Sequence, residues 1–371
     1  AFIVEAAWPG VSHGAHEDKM GIRASCTTTV AFNDVRIPAE NVLGEVGKGF
    51  KVAMGILNNG RTGLGGGAVG GMKALIRRSV AQAQERKQFD RSIAEYGLVR
   101  EKIAQMTVEC FAAESAVWMV AHYIDSGCED YSVEAAITKV FASEAMQRTA
   151  YESLQIAGGN GYMRELPYEQ YVRDARILPI FEGTNEILRL YIALSSLKDV
   201  GASLKELQSA VSSIFNDPIK GFGVLSGYAE RRFARATGLG AAVKVSTPVA
   251  TALRPLVDIY ESYARATARV AEDVLRKYGR GISDQQHSQR RIADLMIDLF
   301  VGLCVISRAD SIIRSDPASA TQVTDIARVF THQARRRMVR NVRGLSHNED
   351  QSIEALAGAI LEKGRYPWDV L

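Results

Sequence analysis

The chain has 371 residues, of which 47% are hydrophobic and 23% are charged, which is typical of a globular protein with two or three domains. Its formal net charge of +3 is too small to indicate a nucleic-acid-binding protein. The four cysteines are widely scattered, so their spacing predicts neither a disulfide framework nor a metal site. No run reaches the roughly 18 apolar residues that a membrane-spanning helix needs.

The first part of the chain is predicted to be a short β segment followed by long helices. Residues 1–38 are expected to be β structure, with strands over 1–5 and 27–36. Apolar residues at helical spacing then predict helices over 49–87, 98–126 and 133–155. Ser132 is a candidate N-cap for the third of these helices.

A glycine-rich stretch inside the first predicted helix satisfies the dinucleotide-binding pattern G-x-G-x-x-G at Gly65, Gly67 and Gly70. That pattern indicates a nucleotide site only where a strand precedes it. Because residues 50–64 are predicted to be helical, we interpret the glycines as positions where helices pack closely. Each costs up to about 1 kcal/mol of helix stability relative to alanine.

The stretch around Glu182 contains the clearest candidate for chemistry. Glu182 follows an apolar run that is broken only by Pro179. Gly183 allows the backbone to turn, and Thr184 or Asn185 can cap the helix that follows. A carboxylate held in one direction by apolar neighbours is typical of a general base. An acid at a helix N-terminus can also simply stabilise the helix dipole, so the residues alone leave both interpretations open.

The stretch Phe-Glu-Gly-Thr-Asn-Glu-Ile-Leu-Arg, from Phe181 to Arg189, resembles the signature around the catalytic glutamate of the acyl-CoA dehydrogenases. Within that family it is most similar to the very-long-chain branch, which includes acyl-CoA dehydrogenase family member nine. The resemblance covers nearly the whole chain and implies a mainly α fold. A helical bundle over 39–196 would follow the end of a β-domain over 1–38 and precede an extra helical domain over 197–371.

The resemblance also implies an activity. It is the FAD-dependent α,β-dehydrogenation of a long or very-long-chain fatty acyl-CoA to a trans-2-enoyl-CoA, a step of fatty acid β-oxidation. Glu182 would take the α-proton while the β-hydrogen leaves as hydride to flavin N5. The implied substrate contacts are Asn58, Arg61, Phe181 and Gly183. An arginine suits such a site because its planar fork can bind an anion through two hydrogen bonds.

The FAD contacts implied by the resemblance fall on three segments. These are the Arg-x-Gln-Phe motif (Arg86, Gln88, Phe89), the helix-closing stretch (Gln155, Ile156, Ala157, Gly158, Gly159) and the start of the helix after the glutamate (Thr184, Asn185, Glu186). In the family, the Arg-x-Gln-Phe motif reaches the flavin of the partner subunit. The family's loops that cover the flavin ring would lie upstream of Ala1, so we expect the chain to be part of a longer protein.

Beyond residue 197 the helical spacing continues, and this appended region is typical of the very-long-chain branch. Helices are predicted over 204–215, 222–236, 254–278, 284–314, 318–342 and 352–363. The branch implies a homodimer. Residues 204–239 combine apolar residues with arginines, and they fit either an amphipathic hairpin on an anionic membrane or a helix packed on its own domain.

The implied partners are fatty acyl-CoA as substrate and electron-transfer flavoprotein as electron acceptor. The implied location is the matrix side of the mitochondrial inner membrane, or the cytoplasm if the source is bacterial. An alternative function is that of a respiratory complex I assembly factor, which would use the same fold to bind assembly proteins. An acyl-CoA oxidase is a third candidate.

Overall fold

The computed structural model describes residues 1–197 and 248–368, and the described part is mainly helical, as predicted. Its long helices in the first half are α1 (Gly49–Glu85), α2 (Gly97–Asp125) and α3 (Ser132–Ala157). The short helices α4 (Gly159–Tyr162) and α5 (Tyr168–Ala175) follow, and α6 covers residues 185–197.

The β structure before α1 is smaller than predicted. Strands β1 (Val11–His13) and β2 (Val30–Phe32) pair antiparallel, with Val11 opposite Phe32. The predicted strand over 1–5 is wrong, because only Phe2 pairs there, in an isolated bridge to Val42. A single bridge leaves the neighbouring residues without the ladder of hydrogen bonds that defines a strand.

Helices α1, α2 and α3 pack against one another, and α5 packs against α3. The glycines of α1 contribute unequally to this packing. A Cβ atom at Gly65 would lie 3.0 Å from side chains of both Val117 and Thr138, so the close approach there depends on glycine. Gly67 and Gly70 would meet nothing within 4 Å. The packing interpretation therefore holds for Gly65 and is wrong for the other two.

The chain leaves α1 through a tight hairpin. Strands β3 (Lys87–Gln88) and β4 (Arg91–Ser92) pair antiparallel, and the two residues between them, Phe89 and Asp90, both have positive φ angles of 51° and 66°. Such a two-residue turn matches the twist of a hairpin. The prediction that the first helix continues to Lys87 is therefore wrong by two residues.

The N-cap prediction for α3 is also wrong. Ser132 is the first residue of that helix, and its backbone N–H donates to the Asp130 side chain at 3.0 Å. The structure gives no capping hydrogen bond from the residue that precedes the helix. Asp130 was missed because it lies two residues before the expected cap.

The described part of the second half is helical as predicted, with boundaries shifted by a few residues at most. Its helices are α7 (Arg254–Tyr278), α8 (Gln286–Ser315), α9 (Ala320–Gly344) and α10 (Asp350–Lys363). The predicted helices over 204–215 and 222–236, and the proposed amphipathic hairpin, lie outside the described residues. Within the described ranges, no helix is long and apolar enough to cross a membrane.

By its internal contacts the chain divides into two compact units. The first consists of Ala1–Leu188 with Phe300–Phe330, and the second of Arg189–Leu299 with Thr331–Leu371. The first unit contains Glu182 and all of the other predicted site residues. This division differs from the predicted boundaries at 38/39 and 196/197, because residues from α8 and α9 contribute to the first unit.

The second unit contains an ion pair between a buried aspartate and a half-buried arginine. Arg337 donates to both carboxylate oxygens of Asp298, with the shortest contact at 2.6 Å. Burial raises the pKa of Asp298 to about 6, although the Arg337 guanidinium opposes this rise. Nearby Tyr260 is buried and donates to the Thr331 hydroxyl at 3.1 Å.

Candidate functional site

Glu182 lies in a turn between α5 and α6, and we call residues 181–184 the acid turn. Glu182 has a φ of 55° and Gly183 a φ of 93°. Two consecutive positive φ angles are unusual, and the first is on a residue that has a Cβ atom, which makes it the costlier of the two. At the end of the turn, Thr184 Oγ1 accepts the Ile187 N–H at 3.3 Å, so Thr184 is the cap of α6. The capping prediction is confirmed for Thr184.

The turn directs the Glu182 carboxylate at α1. A Cβ atom at Gly60 would lie 2.9 Å from Glu182 Oε1 and 3.1 Å from Oε2, so a side chain at this position would displace the carboxylate from its place against α1. Oε2 is buried and has no hydrogen-bond partner among the described residues. A buried carboxylate oxygen without a donor is costly for stability, and such atoms mark candidate functional groups.

Arg61 supports the acid turn from α1. Its side chain is only 5% exposed. Its Nε donates to the backbone carbonyl of Glu182 at 3.3 Å, and its Nη1 donates to Asn58 Oδ1 at 3.1 Å. The structure thus brings Asn58, Arg61 and Glu182 together, as the motifs predicted. Arg61 contacts the backbone of the catalytic candidate, a role that the sequence did not indicate.

A lysine that the sequence analysis did not select supports the turn from α3. Lys139 is 0% exposed, and its Nζ donates to the Gly183 carbonyl at 2.8 Å and to Asn185 Oδ1 at 2.9 Å. Burial lowers the pKa of Lys139 to about 8, while the Glu182 carboxylate opposes this effect. A lysine inside an otherwise apolar helical run, from Ala135 to Ala142, was the available signal.

The burial of Asn185 differs from what we expected for a residue that contacts a cofactor. Its side chain is 2% exposed, and its amide donates to Ser143 Oγ at 3.0 Å and to Glu144 Oε1 at 3.1 Å. Its backbone N–H donates to the Pro179 carbonyl. The structure therefore gives Asn185 a role inside the protein instead.

The remaining predicted residues near the turn are accessible. Phe181 and Glu186 are exposed, and Gly183 and Thr184 are half-buried. The exposed side chains of Ile180 and Ile187 lie in the same part of the chain and give this surface an apolar character. An apolar surface beside a carboxylate suits a substrate with an aliphatic part.

A loop before β2 is held against α5, the helix that leads to the acid turn. Arg173 Nη1 donates to the Met20 carbonyl at 2.9 Å, and the Ile22 N–H donates to Asp174 Oδ1 at 2.6 Å. A Cβ atom at Gly21 would lie 2.4 Å from the Arg173 carbonyl oxygen, so this approach requires glycine. These partners are more than 150 residues apart, which is why their contact could not be read from local patterns.

The predicted cofactor segments at Arg86–Phe89 and Gln155–Gly159 lie at the opposite end of the bundle. Ile156 at the end of α3 packs in one cluster with Ala83 at the end of α1. From Arg61 to Glu85, α1 rises about 36 Å at roughly 1.5 Å per residue. These two segments are therefore far from Glu182 within one chain, although they are near each other.

The side chains of these two segments differ in their accessibility. Arg86, Gln88, Gln155, Gly158 and Gly159 are exposed. Phe89 is 86% exposed, which is unusual for an aromatic side chain. The side chains of Ile156 and Ala157 are buried, so only their backbone groups could contact a ligand.

Comparisons with known proteins show which families this chain is similar to. The family described as "Acyl-CoA dehydrogenase, C-terminal domain" matches residues 47–197, and the family "ACAD9/ACADV, C-terminal domain" matches residues 251–366. The chain is 38% identical over 98% of its length to the very long-chain specific acyl-CoA dehydrogenase of Rattus norvegicus mitochondria, of which it covers 56%. The chain belongs to the acyl-CoA dehydrogenase family. It thus spans about half the length of the curated relatives that it matches.

Solved structures of acyl-CoA dehydrogenases are also similar to this chain. A crystal structure of acyl-CoA dehydrogenase complexed with FAD from Bacillus anthracis matches 100% of this chain and 63% of that chain, with a TM-score of 0.78 and 28% identity. The butyryl-CoA dehydrogenase of Megasphaera elsdenii matches 53% of this chain and 51% of its own, with a TM-score of 0.52 and 40% identity. The second match covers half of the chain, whereas the first also includes the appended helical region.

We expect Arg61→Ala to lower the free energy of unfolding by about 1–3 kcal/mol, because the Glu182 carbonyl would lose a donor in a poorly hydrated place. Arg77→Ala is the matched control, since Arg77 is exposed on the same helix. Its effect should stay within about 0.5 kcal/mol. Urea denaturation of both variants measures the difference. Equal losses in the two variants would contradict the support that we assign to Arg61.

Proposed function

We propose that this protein oxidises fatty acyl-CoA thioesters between the α and β carbons, with Glu182 as the catalytic base. The observation that carries the proposal is the Glu182 carboxylate itself. It is held by a costly left-handed turn against Gly60, and its Oε2 has no partner in the described part of the chain. A protein that maintains such an arrangement has a proton acceptor in a fixed position.

The acid turn offers a second group to the substrate. The backbone N–H of Glu182 makes no backbone hydrogen bond among the described residues. Such a donor can bind the thioester carbonyl oxygen and stabilise the negative charge that develops there as the α-proton leaves. One residue would then supply both the base and a donor for the oxyanion, which fixes their relative geometry.

FAD is the cofactor that we propose, and when bound it supplies the acceptor for the β-hydride. The chain has residues that fit this group. Arg86 can bind a diphosphate, and the exposed ring of Phe89 can pack on an adenine. The positive φ of 63° at Gly158 leaves an open backbone, where an added Cβ would meet nothing within 4 Å. At the other end of the bundle, Thr184 and Glu186 are accessible beside Glu182.

We further propose that a homodimer completes the site. Arg86–Phe89 and Gln155–Gly159 lie about 36 Å along α1 from the acid turn, at the helical rise of roughly 1.5 Å per residue. One FAD molecule beside Glu182 would therefore receive those two segments from a second copy of the chain. A shared site of this kind makes dimer formation a condition for activity.

The substrate and the physiological setting follow from the relatives. Relatives named as very long-chain specific acyl-CoA dehydrogenases are 38–39% identical to this chain, which supports a long-chain fatty acyl-CoA. Electron-transfer flavoprotein is the proposed electron acceptor. The mitochondrial relatives support a mitochondrial location, although a relative from Bacillus subtilis is 41% identical over 53% of this chain.

The predicted domain boundary near 196/197 remains our proposal for the end of the catalytic bundle.

We expect Glu182→Gln to retain the fold and the flavin content but to lower turnover of palmitoyl-CoA by at least about 10³-fold, because the amide cannot accept the α-proton. Steady-state kinetics with a dye acceptor measures this loss. Exposed Glu85→Gln is the control and should retain full activity. Substantial turnover by Glu182→Gln would reject the assignment of Glu182 as the catalytic base. If the wild type is inactive but still binds assembly proteins, the assembly-factor alternative is favoured.

Mixed dimers test the shared site. Glu182→Gln and Arg86→Ala chains, each inactive as homodimers, should regain activity when they are co-expressed with different tags and isolated as heterodimers. One of the two sites would then combine an intact Glu182 with an intact Arg86 from the other chain. We expect up to about half of the wild-type rate per dimer, by the additivity of independent sites. Heterodimers without activity would place both residues in one site of the same chain.

A further inference from the structure

Two consecutive backbone carbonyls of the acid turn are each bound by a cation. Arg61 of α1 donates to the Glu182 carbonyl at 3.3 Å, and Lys139 of α3 donates to the Gly183 carbonyl at 2.8 Å. The two cations come from different helices of the bundle. Together they hold the two peptide groups on either side of the Gly183 Cα atom.

Lys139 has a further contact that extends this support into α6. Its Nζ also donates to Asn185 Oδ1 at 2.9 Å, and Asn185 is itself held by Ser143 and Glu144. The ammonium group therefore joins the acid turn, the first residue of α6 and the middle of α3. Hydrogen bonds to a charged donor are about twice as strong as neutral ones, so this is the strongest polar connection of the turn to α3.

The charges around Lys139 are mixed. The carboxylates of Glu182, Glu144 and Glu186 favour its charged form, whereas burial and the Arg61 guanidinium oppose it. The resulting pKa of about 8 leaves the side chain mainly protonated at neutral pH. A full positive charge is therefore buried within range of the Glu182 carboxylate under ordinary conditions.

We infer that Lys139 is a positioning residue for the proposed reaction: its ammonium group holds the acid turn in the left-handed conformation and thereby fixes the direction of the Glu182 carboxylate. Lys139 is completely buried and does not reach the substrate, so it acts through Gly183 and Asn185. Burying a lysine is costly, and an apolar residue of the same size would fit an ordinary core better. The kinetic part of this inference rests on the proposed function, whereas the conformational part does not.

Lys139→Met tests the inference, because methionine has nearly the same length and volume but no charge and no donor. We expect kcat for palmitoyl-CoA to fall by about 10²-fold with KM changed less than about twofold, since a small misplacement of a reacting group has an effect of this size. Backbone amides over 180–187 should exchange with D2O at least about tenfold faster.

The control is Lys102→Met. It removes a lysine on α2 that forms an ion pair with Glu152 on α3. It should leave the kinetic constants and the exchange over 180–187 unchanged. All measurements use the protein with any sequence that precedes Ala1 and with its cofactor. If Lys139→Met does not fold, Asn185→Ala provides the exchange readout, because it removes one acceptor of the same ammonium group.

The outcomes separate this inference from the proposed function. A wild type that oxidises no acyl-CoA would overturn the proposed function, and faster exchange in Lys139→Met would then still support the conformational role. If Lys139→Met lowers kcat but leaves the exchange over 180–187 at its wild-type rate, Lys139 is not a positioning residue. If it behaves like Lys102→Met in every measurement, the inference is wrong.

Discussion

The site depends on a left-handed turn that two buried cations hold in place. Glu182 has a φ of 55°, which a residue with a side chain adopts only where its surroundings compensate for the cost. Arg61 and Lys139 provide this compensation by binding the carbonyls of the turn from two different helices. The helices of the bundle therefore hold the Glu182 carboxylate in a defined direction.

Several glycines of α1 lie where another part of the chain approaches the helix closely. Its glycines are not equivalent, because Gly60 leaves space for the carboxylate and Gly65 for helix packing, while Gly67 meets nothing. The stretch that formally satisfies a nucleotide-binding pattern thus contributes to helix packing through Gly65, and the glycine beside the carboxylate lies outside that stretch. The position of a glycine relative to its neighbours in space decides its role, and a pattern of spacing alone does not contain that information.

Much of this could be predicted from the sequence, for definite physical reasons. Helical periodicity identified the long helices, whereas Glu182 was selected by the resemblance of residues 181–189 to a family signature, since its neighbours alone left two interpretations open. The hairpin after α1 was missed because its turn begins with Phe89, which is not a typical left-handed residue, and contains no glycine. Lys139 was missed because its contacts join residues more than 40 positions apart, and the apolar run around it shows that it is buried but not what it binds.

The central claim is that the carboxylate of Glu182 abstracts the α-proton of an acyl-CoA next to a bound flavin. An anaerobic visible spectrum of the protein, including any sequence that precedes Ala1, tests it most directly before and after palmitoyl-CoA is added. The account predicts that the flavin absorption bleaches within the mixing time. A flavin band that remains unchanged with saturated acyl-CoA thioesters of every chain length would contradict it.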